Sequence, residues 1–107
     1  MILAVDIGNS NIVLGCFEND QILFIERLST NQNSTELEYT ILIKNILELN
    51  NLSHRAFEGG IISSVVPSVT HTVQAAMTRL TGKPVMVVGP GIRTGLKIKL
   101  DNPAQLG

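Results

Sequence analysis

The chain has 107 residues, of which 44% are hydrophobic and 16% charged, and its formal net charge is −1 at pH 7. That length fits one domain able to bury about 65% of its unfolded surface. A near-neutral balance with no long run of one sign leaves no electrostatic footprint for nucleic acid or an anionic membrane.

The single cysteine, Cys16, rules out an internal disulfide. It lies in an apolar run and reads as a small buried thiol, which suits a reducing cytoplasm. The apolar stretch at residues 1–5 is too short to span a membrane and lacks a basic leader, so neither a signal peptide nor a membrane span is expected. Repeats, low-complexity tracts and internal linkers are absent from the sequence.

Residues 2–5 form an apolar run that leads into Asp6 and then a Gly8-Asn9-Ser10-Asn11 corner. A second apolar run, 12–14, follows at once and reaches Phe17. This pattern predicts a β-hairpin whose turn carries small polar side chains beside a carboxylate at a strand end. Backbone amides in such a turn can bind an anion, and the carboxylate can hold Mg²⁺ directly or through water. An ordinary hairpin would use the same turn residues, so both readings stand at this point.

Residues 18–21 form a polar turn, and residues 22–28 give a third strand that completes an antiparallel meander. A polar loop spans 29–34. Ser34 or Thr35 then caps a first helix, with Glu36 and Glu38 complementing the dipole in its first turn. Leu37, Ile41, Leu42, Ile46 and Leu49 recur at helical spacing and predict its apolar stripe; Asn50-Asn51 ends it.

Gly59-Gly60 opens a fourth strand over 61–66, which Pro67 terminates. A second helix buries Val69, Val73, Ala76, Met77 and Leu80 and stops at Gly82. His71 falls on its far face and His54 in a loop, so neither reads as a zinc ligand. The run 85–88 predicts a fifth strand covered on both faces, and Gly89-Pro90-Gly91 forms a corner. Residues 92–100 read as an extended segment carrying Arg93, Lys97 and Lys99, which either face an anionic ligand or form a solvated edge. Asn102-Pro103 is a helix start. The chain ends at Gly107, within about one turn of that start, and so reads as cut rather than finished.

Three antiparallel strands followed by two crossover units predict an α/β fold with a mixed five-stranded sheet. Its order is 3-2-1-4-5, with strands 1, 4 and 5 parallel and helices flanking. Ligands gather outside the carboxyl ends of the parallel strands. That places Asp6, the 8–11 turn, Ser63-Ser64 and Gly89–91 at one edge. Ribonuclease H-like nucleases and the actin, sugar kinase and Hsp70 phosphotransferases share this topology, and fold alone does not choose between them. Two-metal nucleases need carboxylates from several elements. The fourth strand here has serines and no acid, which favours an ATP phosphate corner.

Three stretches together resemble type III pantothenate kinase: Asp6-Ile7-Gly8-Asn9-Ser10-Asn11; Ser63-Ser64-Val65-Val66-Pro67; and Gly91-Ile92-Arg93-Thr94-Gly95-Leu96-Lys97-Ile98 with Asp101-Asn102-Pro103-Ala104-Gln105-Leu106-Gly107. The resemblance runs from end to end of the chain. It implies that residues 1–107 are the N-terminal ATP-phosphate-binding lobe of a two-lobe kinase, truncated at the start of the next helix.

By the same resemblance, Asp6, Ile7, Gly8, Asn9, Ser10, Asn11, Ile12 and Val13 bind ATP, with Asp6 near Mg²⁺. Ser10 stands where the family more often has Thr. Leu100 and Gly107 match substrate-contacting positions, with Leu100 replacing a more usual aromatic residue. The general-base aspartate is expected just after Gly107, and the second lobe with its monovalent-cation site (K⁺ or NH₄⁺) beyond that. The implied activity is ATP-dependent phosphorylation of pantothenate in the cytoplasm by a homodimer, without nucleic acid or membrane partners. The 107 residues alone are expected to be inactive. A non-catalytic transcriptional accessory relative of the same fold is the alternative.

Overall fold

A computed structural model describes residues 1–88. The elements run β1 (Ile2–Ile7), β2 (Asn11–Glu18), β3 (Gln21–Ser29), α1 (Glu36–Leu49), a 3-10 turn (His54–Ala56), β4 (Gly59–Ser64), α2 (Pro67–Thr81) and β5 (Val85–Val88). The five strands form one sheet in the order β3-β2-β1-β4-β5. β1 is antiparallel to β2 and parallel to β4, β2 is antiparallel to β3, and β4 is parallel to β5. This is the α/β, ribonuclease H-like sheet expected from the order of elements. The Gly89–91 corner, the 92–100 segment with Arg93, Lys97, Lys99 and Leu100, the Asn102-Pro103 helix start and Gly107 lie outside the described residues.

The β2–β3 hairpin turns on Asn19 and Asp20, both with positive φ (50° and 65°). Those residue types tolerate the left-handed region that a two-residue turn between twisted strands requires. The pairing is not uniform, because its register shifts between Cys16 and Phe17. One extra residue there moves every later pair in β3 by one position.

Alternation divides the sheet into two faces. Leu3, Val5, Ile7, Ile12, Leu14, Cys16 and Ile62 join Tyr39, Ile43 and Leu47 of α1, and Val69, Val73, Ala76, Met77 and Leu80 of α2, in the main core. Both helices therefore pack on one face. Ala4 and Val13 form a smaller cluster with Phe17, Ile25 and Ile61 on the other.

Thr35 caps α1 through a full capping box: its side chain accepts from the Glu38 amide, and the Glu38 carboxylate accepts from the Thr35 amide. Hydrogen bonding to Thr35, its backbone first and its side chain second, holds the Glu38 carboxyl below its ordinary value. The buried face of α1 corrects the sequence expectation. Tyr39, Ile43 and Leu47 are buried, whereas Leu37, Ile41, Leu42 and Leu49 are exposed and Ile46 is only partly covered. Apolar residues occur around most of this helix, so packing against α2 and the sheet selects the face, not periodicity alone.

Helix α2 buries the five residues expected, together with Thr70. Gly82 ends it in the left-handed conformation, φ 69°, which glycine adopts without a Cβ clash. Three smaller corrections concern neighbouring segments. β4 stops at Ser64, and Pro67 opens α2 rather than closing a strand. His54 belongs to a 3-10 turn. β5 is an edge strand of the described sheet, with Met86 64% and Val87 41% exposed, not a strand covered on both faces. Its unbroken apolar run cannot reveal which of its faces will be covered.

Cys16 is fully buried beside Met1, its Sγ 3.6 Å from the Met1 Sδ. Burial pushes the thiol from 9.0 up to about 11, the positive N-terminus opposing the shift and Glu18 adding to it. The neutral thiol is thus favoured in the folded state. Its contribution to stability is complete below pH 9.0 and fades as pH rises toward 11. In native protein at pH 8, Cys16 is expected to resist iodoacetamide and to react only after denaturation. Prompt alkylation of the folded chain, followed by mass spectrometry, would contradict this.

Candidate functional site

β1 ends where β2 begins, and the short connection between them sets the site. Asp6 sits at the carboxyl end of β1, opposite Val13 on β2 and beside Ser63 on β4. These three residues share the sheet face away from the helices. Ser63 and Val13 are buried, so the partly exposed Asp6 emerges from a closed wall.

Gly8 follows. Its N–H donates to the Asn11 carbonyl at 2.9 Å, closing the turn. A Cβ added to Gly8 would lie 3.1 Å from that same oxygen, too near for easy substitution. Asn9, Ser10 and Asn11 are exposed, whereas Ile7, Ile12 and Val13 are buried. Of the eight residues at 6–13, the middle ones can meet a ligand with side chains and amides. Ile7, Ile12 and Val13 hold the corner in the core.

The second expected stretch has a divided role. The Ser64 hydroxyl accepts from the Val66 amide at 2.9 Å and donates to the Val66 carbonyl at 3.3 Å, and Thr70 Oγ1 donates to that carbonyl at 3.0 Å. Ser64 is thereby committed to shaping the passage from β4 into α2. The Val65 N–H donates to the Ile7 carbonyl at 3.1 Å, which ties the passage to the β1 corner. α2 starts at this same edge with no side chain capping it, so its amide end adds a positive partial charge there.

A groove of about 430 Å³ lies alongside, between the start of α2 and the end of β5, lined by Ser64, Val65, Pro67, His71, Gln74 and Val88 among others. His71 is exposed on its rim.

One site contributor was not expected. Thr30, in the segment read as a polar loop, donates its hydroxyl to the Gly8 carbonyl at 2.7 Å and its N–H to the Ser10 carbonyl at 3.0 Å. The signal exists in the sequence, since a polar residue just past the end of β3 must face the β1–β2 turn. The bulge at Cys16–Phe17 conceals it, because an unbroken pairing from the Asn19-Asp20 turn places Ser29, not Thr30, opposite Ser10.

Among the described residues no three His, Cys, Asp or Glu side chains form a cluster able to hold a metal by themselves. A magnesium ion bound largely by phosphate oxygens and water needs only one or two carboxylates, and Asp6 at the strand end fits that requirement. A pair of ions held by protein carboxylates has no such support on β4. Among the described residues no helix is long and apolar enough to cross a membrane.

The chain matches the family described as Type III pantothenate kinase over residues 2–107. It is 45% identical over 107 residues to a protein named Type III pantothenate kinase from Bifidobacterium animalis subsp. lactis (strain AD011), covering all of this chain and 42% of that relative. Less than half of the relative's length is thus represented. Among solved structures, the ROK hexokinase of Thermus thermophilus matches with TM-score 0.61 at 14% identity, over 82% of this chain and 33% of that one. RuvC of Thermus thermophilus, solved with a Holliday junction substrate, matches with TM-score 0.55 at 16% identity, over 83% of this chain and 64% of that one. A kinase and a DNA-binding protein at similar distance establish the sheet architecture and nothing about its chemistry.

Proposed function

The chain belongs to the type III pantothenate kinase family, and from that premise we propose that the intact protein transfers the γ-phosphoryl group of ATP to the primary hydroxyl of pantothenate, the first step toward coenzyme A. The observation that carries this reading is the family match over residues 2–107, with 45% identity to a named kinase along the whole chain. Residues 1–107 form the N-terminal lobe of a larger enzyme in this reading.

The residues divide the work by position. Asn9, Ser10 and Asn11 present amides and small polar side chains to the phosphates. Gly8 lets the backbone approach them closely. Asp6 at the end of β1 would hold Mg²⁺, which when bound would supply charge neutralisation to the phosphates. Ile7, Ile12 and Val13 fix the corner against the core, so that the amides need no reorganisation when charge builds up. Phosphoryl transfer depends on positioning and electrostatics from both sides of a cleft. The second side, with the general base after Gly107, the monovalent-cation site and the substrate contacts at Leu100 and Gly107, completes the enzyme. The active form is a cytoplasmic homodimer.

The test is an assay of the full-length gene product with Mg-ATP and pantothenate. The expected result is ADP release that depends on pantothenate, with phosphopantothenate identified by mass. Residues 1–107 alone are expected to give none. ATP hydrolysis indifferent to pantothenate, or no turnover by the full-length protein, would reject the reading.

A further inference from the structure

We propose that Thr30 is a positioning residue for the nucleotide phosphates, acting through the β1–β2 turn, and that Tyr39 holds Thr30 in place from the core. The inference rests on the reading of residues 8–11 as a phosphate corner and adds what orients that corner.

Thr30 reaches the turn twice. Its hydroxyl donates to the Gly8 carbonyl at 2.7 Å and its amide to the Ser10 carbonyl at 3.0 Å. The described residues contain no cis peptide bond, and in a trans peptide the N–H points opposite to the C=O. Holding the Gly8 oxygen therefore directs the Asn9 N–H away from Thr30. Holding the Ser10 oxygen does the same for the Asn11 N–H. Two alternate amides of the turn face one way because one residue holds the two carbonyls behind them.

The arrangement needs a clasp. Gly8 has no side chain, so the Gly8–Asn9 peptide plane can rotate more freely than any other in the turn. Rotation would bring a carbonyl oxygen toward the phosphates in place of an amide, converting attraction into repulsion. The only side-chain bond on that plane among the described residues is the Thr30 hydroxyl.

Thr30 is itself anchored. Tyr39, 1% exposed in the main core, accepts from the Asn31 N–H at 3.0 Å and donates to the Asn31 carbonyl at 2.8 Å. Its hydroxyl thus satisfies both backbone groups of the residue next to Thr30. Tyr39 of α1 thus fixes Asn31 by two hydrogen bonds, and Asn31 is joined through the chain to Thr30, which makes the two bonds to the turn.

The experiment compares Thr30→Val, Thr30→Ser and Tyr39→Phe in the full-length protein, measuring the Kd of Mg-ATP by calorimetry, KM for each substrate and the melting temperature. Valine keeps the shape and the backbone bond but loses the hydroxyl bond to Gly8, so Kd and KM for ATP are expected to rise about tenfold, the usual worth of one hydrogen bond. KM for pantothenate should stay unchanged. Serine, which keeps the hydroxyl, should restore the wild-type values, and Tyr39→Phe should move ATP affinity in the same direction as valine.

Unchanged ATP affinity in Thr30→Val, equal losses toward both substrates, or no rescue by serine would overturn the proposal. If Thr30→Val does not fold, Tyr39→Phe decides, and an unchanged Kd for ATP then overturns it. Wild-type protein that binds ATP but leaves pantothenate untouched would reject the proposed reaction while the Kd comparison still tests Thr30. Wild-type protein that binds no nucleotide would overturn both.

Discussion

In the full-length protein, Asp6→Asn is expected to lower kcat for pantothenate phosphorylation by about a hundredfold or more while leaving the fold intact, the scale of loss when one charge-stabilising group is removed from a preorganised site. Asn fills the same volume at the end of β1, between Val13 and Ser63, so the wall around it is preserved. What disappears is the negative charge beside the turn at residues 8–11. The effect should fall on kcat more than on KM for pantothenate, because the proposed function puts Asp6 on the nucleotide side of the cleft. Rates measured across a Mg²⁺ titration make the check specific: partial recovery at high Mg²⁺ would mark weakened metal affinity. Wild-type kcat in Asp6→Asn would remove Asp6 from the mechanism.

The largest stability effect is expected from Leu47→Ala, at about 2–5 kcal/mol, the range for emptying a fully buried leucine site. Leu47 is 0% exposed in the main core, on the face of α1 that packs against the sheet and α2. Leu49→Ala, two residues away and 80% exposed, should change stability by no more than about 0.5 kcal/mol, as surface substitutions do. Urea denaturation of the two variants, with midpoints compared at equal slope, reads this directly. The comparison also decides between two faces of one helix, since the stripe suggested by spacing includes Leu49 and omits Leu47. A larger loss for Leu49→Ala would restore that stripe.

Where local chemistry decides an element, the chain was legible in advance. The strand order follows from three tightly connected strands and two crossovers, Gly82 and the buried face of α2 follow from a stop signal and a clean period, and capping narrowed the start of α1 to Ser34 or Thr35. Helix α1 was less legible because Leu37, Ile41, Leu42 and Leu49 compete with Tyr39, Ile43 and Leu47 for the interior, and only tertiary packing breaks the tie. β5 misled for a related reason, since an apolar strand reads the same whether one face or both are covered. Of the site, the Asp6 carboxylate and the Gly8–Asn11 turn were visible as types and spacing. Ser64 looked like a ligand-edge hydroxyl and proved to be engaged with Val66. Thr30 escaped because a single inserted residue in a hairpin shifts which partner a distant strand end meets.

The parallel pairing of β1 with β4 carries a consequence for how the chain acquires this edge. β1, β2 and β3 are linked by turns of a few residues, and their contacts form locally. The β1–β4 ladder instead joins positions 57 residues apart, as in the Glu58 N–H bond to the Met1 carbonyl. Closing so long a loop costs chain entropy before any contact returns it. The corner that carries Asp6 can therefore exist as a hairpin before its Ser63 neighbour arrives, whereas the complete sheet edge waits for the least local contact in the sheet. During synthesis, the turn at residues 8–11 emerges first and gains its neighbour on the sheet only after α1 has been made and β4 has docked beside it.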